Sequence, residues 1–131
     1  MNPDALVQWL NRYGDAWMHL DPRLATALFA PDAIFTETPF SDPIRGRDAI
    51  GVYWAAMSRV QDQVDFAYEV LSVTPNMGIA QWWASFVRTT PDSQSVHIKL
   101  DGIAVIGLDS QNLCISFHQW WHAQETPIEN V

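Results

Sequence analysis

One change of rhythm constrains this chain more than any other feature. Up to about residue 60 the apolar residues recur at three- and four-residue spacing, the period of a helix; from Val64 onward they alternate, the period of a strand. A chain that makes helices first and consecutive short-turned strands afterwards builds an α+β domain, with the helices gathered on one face of an antiparallel sheet.

The first half reads as three helices and a strand. Asn2-Pro3-Asp4 places a cap, a proline at the first helical position and an acid in the first turn, and Leu6, Trp9, Leu10, Tyr13 and Trp17 then form one aromatic stripe. Asp21-Pro22 repeats the cap for a second, short helix, which is expected to turn Leu24, Leu28 and Phe29 inward and to end before Pro31. Ala33 to Thr38 reads as a strand, Pro39 to Gly46 as a loop, and Asp48 to Arg59 as a third helix with Ile50, Tyr53, Trp54 and Met57 at helical spacing.

The second half reads as a four-strand meander: Val64 to Val73, Ile79 to Thr89, Val96 to Leu108 and Leu113 to Ala123. The turns fall at Pro75 to Gly78, Pro91 to Ser93 and Asp109 to Asn112, and Gly102 and Gly107 are bend or bulge points. One domain over residues 1–125 with a tail at 126–131 is expected. In the last strand Ile115, Phe117, Gln119 and Trp121 share the more apolar face, taken as the inner one, against Ser116, His118, Trp120 and His122. In Ile79 to Thr89 both faces are apolar, which calls for a helix and cavity on one side and a second subunit on the other. A homodimer is therefore expected.

Composition narrows the partners. Seven Trp in 131 residues exceed what a small core needs, since each buried indole also seeks a partner for its N–H; the excess points to a wide apolar cavity or an adhesive surface. A formal charge of −8, with only seven Lys and Arg, argues against nucleic acid and against anionic membrane surfaces. The single Cys114 allows no intrachain disulfide, no basic or apolar leader is visible, and no apolar run reaches the roughly 18–20 residues of a membrane helix. A cytoplasmic protein that takes an apolar small molecule is the expectation.

Local motifs for chemistry are sparse. Glycine-rich phosphate loops, cysteine pairs and histidine pairs at helical ligand spacing are missing from the sequence. His118 and His122 share a strand face but stand about 13 Å apart by strand rise, too far for one metal ion. No metal or cofactor is expected. Glu37 lies two residues after Phe35 on the same strand face; pointing inward, it would be a carboxylate in an apolar cavity, suited to proton transfer. Pattern alone favours a solvated acid at a strand end. Tyr13 sits on the aromatic stripe, where packing is the simpler role and donation to a ligand oxygen the alternative. Trp17, Trp54, Trp82 and Trp121 read as core or cavity wall, and Phe35, Met57, Phe86 and Phe117 join them as candidate ligand contacts.

Several segments together resemble a known family. Tyr13-Gly14-Asp15-Ala16-Trp17, Asp21, Leu28 to Ala33, Phe35 to Pro39, Gly46 to Ile50, Leu100 to Ile103 and Trp120-Trp121 are similar to the nuclear transport factor 2-like superfamily, in its SnoaL-like and ketosteroid isomerase-like branch. The resemblance implies a cone-shaped roll, in which a curved antiparallel sheet wraps about three N-terminal helices, with a pocket at the wide end and dimerisation through the outer face. Aligned on ketosteroid isomerase, Tyr13 takes the place of the oxyanion-binding tyrosine and Glu37 that of the general-base aspartate. The second oxyanion donor, a protonated aspartate, falls at Ala104, and the supporting aromatic hydroxyls fall at Phe29 and Trp54. These departures count against steroid isomerisation itself, and the closing Trp120-Trp121-His122 lacks the acid expected near His122 in cyclase-like members. Three readings stay open: a cofactor-free isomerase, cyclase or dehydratase using Glu37 and Tyr13; a non-catalytic small-molecule binding domain; and a dimeric association module.

Overall fold

Helix α1 (Pro3–Met18) starts where the sequence caps it: the Asn2 side chain accepts from the Asp4 N–H at 2.8 Å, and Pro3 opens the first turn. The computed structural model describes residues 1–92 and 94–128. Along α1, Leu6, Trp9, Leu10, Tyr13 and Trp17 are buried as one stripe. Gly14 belongs to the same face because α1 lies against the sheet there; a Cβ at this position would stand 2.6 Å from the Phe66 ring.

Helix α2 (Pro22–Thr26) is capped by Asp21, whose carboxylate accepts from Arg23 and Leu24 N–H. It is shorter than its expected span. Leu24 is 54 % exposed rather than inward, and Ala25 takes the buried position. Leu28 and Phe29 are buried as expected, but Phe29 already belongs to strand β1 (Phe29–Thr36). Pro31 does not end this strand. It falls in a stretch where the pairing shifts between Phe29 and Ile34, so its missing N–H removes no ladder bond. The expected loop at 39–46 contains a two-residue strand, β2 (Ile44–Arg45), antiparallel to β1. Gly46, at φ +90°, then turns the chain into α3 (Arg47–Val60), which buries Ile50 and Trp54.

Strands β3 (Gln61–Val73), β4 (Gly78–Thr89), β5 (Ser95–Leu108) and β6 (Cys114–Pro127) form the meander. The six-stranded sheet has the order β2-β1-β6-β5-β4-β3, and β1 runs parallel to β6. It is therefore a curved, open, mixed sheet rather than a purely antiparallel one, with the helices packed on one face. Strand β6 extends past Ala123: Thr126 pairs with His97 and Pro127 with Val96, so these two residues belong to the sheet and not to a tail. Residues 129–131 of the expected tail, and Ser93 in the expected turn, lie outside the described residues.

The inner face of β6 follows the expected alternation from Phe117 to Trp121 but not at Ile115, which is 43 % exposed while Cys114 is fully buried. The cause is a bulge opposite Gly107 and Leu108, where one residue of β6 has no partner and the phase of the strand slips. Gly102 is held close to its neighbours in the sheet: a Cβ there would come within 2.5 Å of the Trp120 carbonyl oxygen and 2.8 Å of the Trp82 ring. Among the described residues no helix is long and apolar enough to cross a membrane.

Candidate functional site

The stripe of α1, the inner face of α3 and the concave face of the sheet do not fill the space between them. They leave a cavity of about 180 Å³. Tyr13 and Trp17 enter it from α1, Trp54 and Met57 from α3, Trp82 and Phe86 from β4, and Trp121 from β6. Phe35 lines it from β1, and Glu37 from just past the end of that strand. Phe117, expected among the contacts, does not line it. Its ring stacks on Phe35 at 4.9 Å and on Tyr13 at 5.4 Å, behind both, as a layer of core.

Glu37 is anchored by its backbone: the Trp121 indole N–H donates to the Glu37 carbonyl at 3.0 Å. Its side chain lines the cavity together with Tyr53. The Tyr53 hydroxyl is raised well above its ordinary pKa, first by burial and then by the charge of Glu37 and hydrogen bonding to it. Tyr13 is likewise raised, first by burial, then by Tyr53, Cys114 and Glu37. Its ring is stacked between Trp9 at 5.2 Å and Phe117 at 5.4 Å, with the edge contact to Trp54 at 5.5 Å. Both phenols are therefore neutral, fixed donors at any physiological pH.

Several polar groups were not legible as site residues. Tyr53 carried a signal, since it precedes Met57 by four residues on the same helix face. Gln61, the first residue of β3, carried none. It is buried, and its Oε1 accepts from the Trp17 indole at 2.7 Å. Its Nε2, with the indole N–H groups of Trp54 and Trp82, is buried without a partner among the described residues; such donors cost about 1–3 kcal/mol each when left unpaired. Gln119 lines the cavity directly across the β5–β6 register from Ala104. An Arg88–Glu125 ion pair at 3.0 Å, half exposed, stands at the rim. A second hollow, wider and shallower, lies on the outer sheet face between Trp83, Lys99, Asp101 and His122.

With this geometry in place, the family model for the SnoaL-like domain matches residues 10–112. The chain belongs to the SnoaL-like domain family. It thereby falls in the nuclear transport factor 2-like superfamily. Among relatives of this SnoaL-like chain is a steroid Δ-isomerase from Nocardioides simplex, 30 % identical over 110 residues that cover 84 % of each chain. Solved structures share the fold. SalBIII, an epoxide hydrolase/cyclase-like enzyme with a role in pyran ring formation in the polyether salinomycin, superposes with a TM-score of 0.75 at 14 % identity over 88 % of each chain. A protein assigned as an isomerase from Bacillus subtilis gives 0.76 at 18 % identity, over 93 % of this chain and 90 % of that one. One assigned as a SnoaL-like polyketide cyclase from Shewanella denitrificans gives 0.78 at 12 % identity over 92 % of each.

Proposed function

We propose that this SnoaL-like domain is a cofactor-free enzyme of the isomerase, cyclase or dehydratase type, acting on a small apolar molecule that bears a carbonyl. The observation that carries the reading is the meeting of the Glu37 carboxylate with two phenols, buried Tyr13 and partly buried Tyr53, in a single cavity. Glu37 takes a proton from the carbon next to the carbonyl. The C–H electron pair moves into the new C=C bond, and the carbonyl π pair moves onto oxygen. Tyr13 donates to that enolate oxygen, and Glu37 returns the proton to the same or a conjugated carbon. Tyr53 orients the carboxylate. Gln119 stands where a second donor is needed, since Ala104, its neighbour across the register, offers none. The cavity is smaller than the roughly 300–1,000 Å³ of drug-sized ligand sites, which favours a compact substrate.

The test is hydrogen–deuterium exchange at the α-carbon of 2-tetralone in D₂O, followed by NMR, beside titration with phenol and 2-naphthol as enolate mimics. Wild type should catalyse exchange and bind the phenols. Glu37→Gln should abolish exchange while retaining phenol binding, and Tyr13→Phe should weaken phenol binding by about 1 kcal/mol or more. Phenol binding without any Glu37-dependent exchange would instead favour a non-catalytic binding domain, a reading supported by the largely apolar lining.

We further propose a homodimer through the outer sheet face, where Trp83 and Trp120 are exposed, and a cytoplasmic location, which suits a lone buried thiol.

A further inference from the structure

Three donors in the cavity wall find no acceptor among the described residues. The indole N–H groups of Trp54 and Trp82 and the amide of Gln61 are buried and unpaired, and all three residues line the cavity that holds Glu37. None of the three is more than 5 % exposed. The orientation of the Gln61 amide follows from chemistry. Its partner, the Trp17 indole, can only donate, so the atom 2.7 Å away must be the carbonyl oxygen and the NH₂ group is the end left over. Trp17 is also the hub of the group: its ring meets Trp54 at 5.7 Å and Trp82 at 6.0 Å. The patch thus offers N–H groups only. Each donor atom is already closed to water, so a small turn of its side chain toward a ligand oxygen would satisfy it, whereas a hydrocarbon ligand would leave it unmatched.

We infer that Trp54, Gln61 and Trp82 form an acceptor-oxygen subsite, so that the ligand carries a second oxygen (ketone, ester or ether) besides the carbonyl met by Tyr13. This rests on the reading of the cavity as a ligand site and narrows its substrate class from apolar carbonyl compounds to small molecules oxygenated at two positions. The second oxygen belongs to a neutral group. Arg88 is the one Lys or Arg among the lining residues and is already paired with Glu125, while Glu37 adds a further negative charge. A carboxylate would enter a wall that is net negative.

Two near-isosteric ligands test this by calorimetry: 4-hydroxyacetophenone, which carries a second acceptor, and 4-ethylphenol, which does not. Wild type should prefer the ketone by roughly three- to tenfold, the range expected of one net hydrogen bond. Trp82→Phe, Trp54→Phe and Gln61→Met should each reduce that preference, read as the ratio of the two affinities in the same variant. Equal binding of the two ligands to wild type, or a preference that survives all three variants, overturns the subsite. The two phenols also differ in acidity, so should the variants not fold, the indole signals of the wild type decide. Titrated with cyclohexanone, the indole N–H signals of Trp54 and Trp82 should move downfield, and with methylcyclohexane they should not; signals unmoved by the ketone overturn the inference. Failure of the enolate reading looks different. Phenol affinity would then ignore Tyr13→Phe while the ketone still moved the indole signals, which sustains the subsite and removes the proton-transfer chemistry.

Discussion

Trp82 and Trp83 are neighbours in one strand and lead opposite lives. Trp82 is 4 % exposed, packs on Trp17 and Phe66 and faces the cavity; Trp83 is 36 % exposed on the convex side, beside Lys99 and Asp101. The pleat alone separates them. The contrast extends across the sheet. The concave side collects Tyr13, Glu37, Tyr53 and the unpaired donors, and the convex side collects exposed Trp120 and Ile115 with an ion-rich hollow. Two Trp-rich faces of one sheet therefore differ in kind: enclosed and set with polar groups on one side, open on the other.

Substitution separates the faces most sharply at this pair. Trp82→Ala should cost about 3–5 kcal/mol in urea unfolding, as for a large buried aromatic, whereas Trp83→Ala should stay within about 1 kcal/mol for the isolated chain. Equal losses would break the distinction. On the concave side Glu37→Gln should lower α-proton exchange by about 10²-fold or more, and Trp83→Ala should leave the rate unchanged. Gly102→Ala should cost about 1–3 kcal/mol, because its Cβ would meet the Trp120 carbonyl at 2.5 Å, backbone that cannot swing away. On the convex side Trp83→Glu with Trp120→Glu should lower the sedimentation mass from dimer to monomer without changing the unfolding midpoint of the monomer. A wild type that sediments as a monomer removes the dimer proposal.

Alkaline pH supplies a further test of enclosure. Burial raises Tyr13 and Tyr53, so the folded state holds these protons more tightly than the unfolded chain. The stability they contribute is complete below the unfolded phenol pKa of about 10 and is lost above it, by about 1.4 kcal/mol per pH unit for each group. Ultraviolet titration should show the phenolate signal of these two tyrosines only as the fold melts. Tyr53→Phe should flatten the alkaline limb by one group.

Much of this arrangement was readable from residue order. The helix-to-strand change of period, the Asn2 and Asp21 caps and the inward Trp17 and Trp54 follow from local pattern, whereas the two apolar faces of β4 left open that Trp82 and Phe86 point inward. What escaped depends on long-range pairing. Ile115 faces out because of a bulge set by β5, Pro31 sits inside a strand because β6 tolerates a slipped register there, and Thr126 and Pro127 are ordered because β5 is long enough to pair with them. Gln61 was invisible for another reason. A lone glutamine after a helix has no periodic signature, and its role arises from Trp17, forty-four residues earlier.

The parallel pairing of β1 with β6 has a consequence for how the protein comes into being. Glu37 is tethered to Trp121, a residue 84 positions later, and the wall facing it includes Gln119 and Ala123. Contacts of such sequence separation close late. On the ribosome, helices, β1 and most of the meander emerge while the cavity still lacks one side, so an incomplete chain holds its acid and its phenols without a chamber around them. Until β6 has emerged the cavity has no closing wall, and the aromatic interior stays open to chaperones.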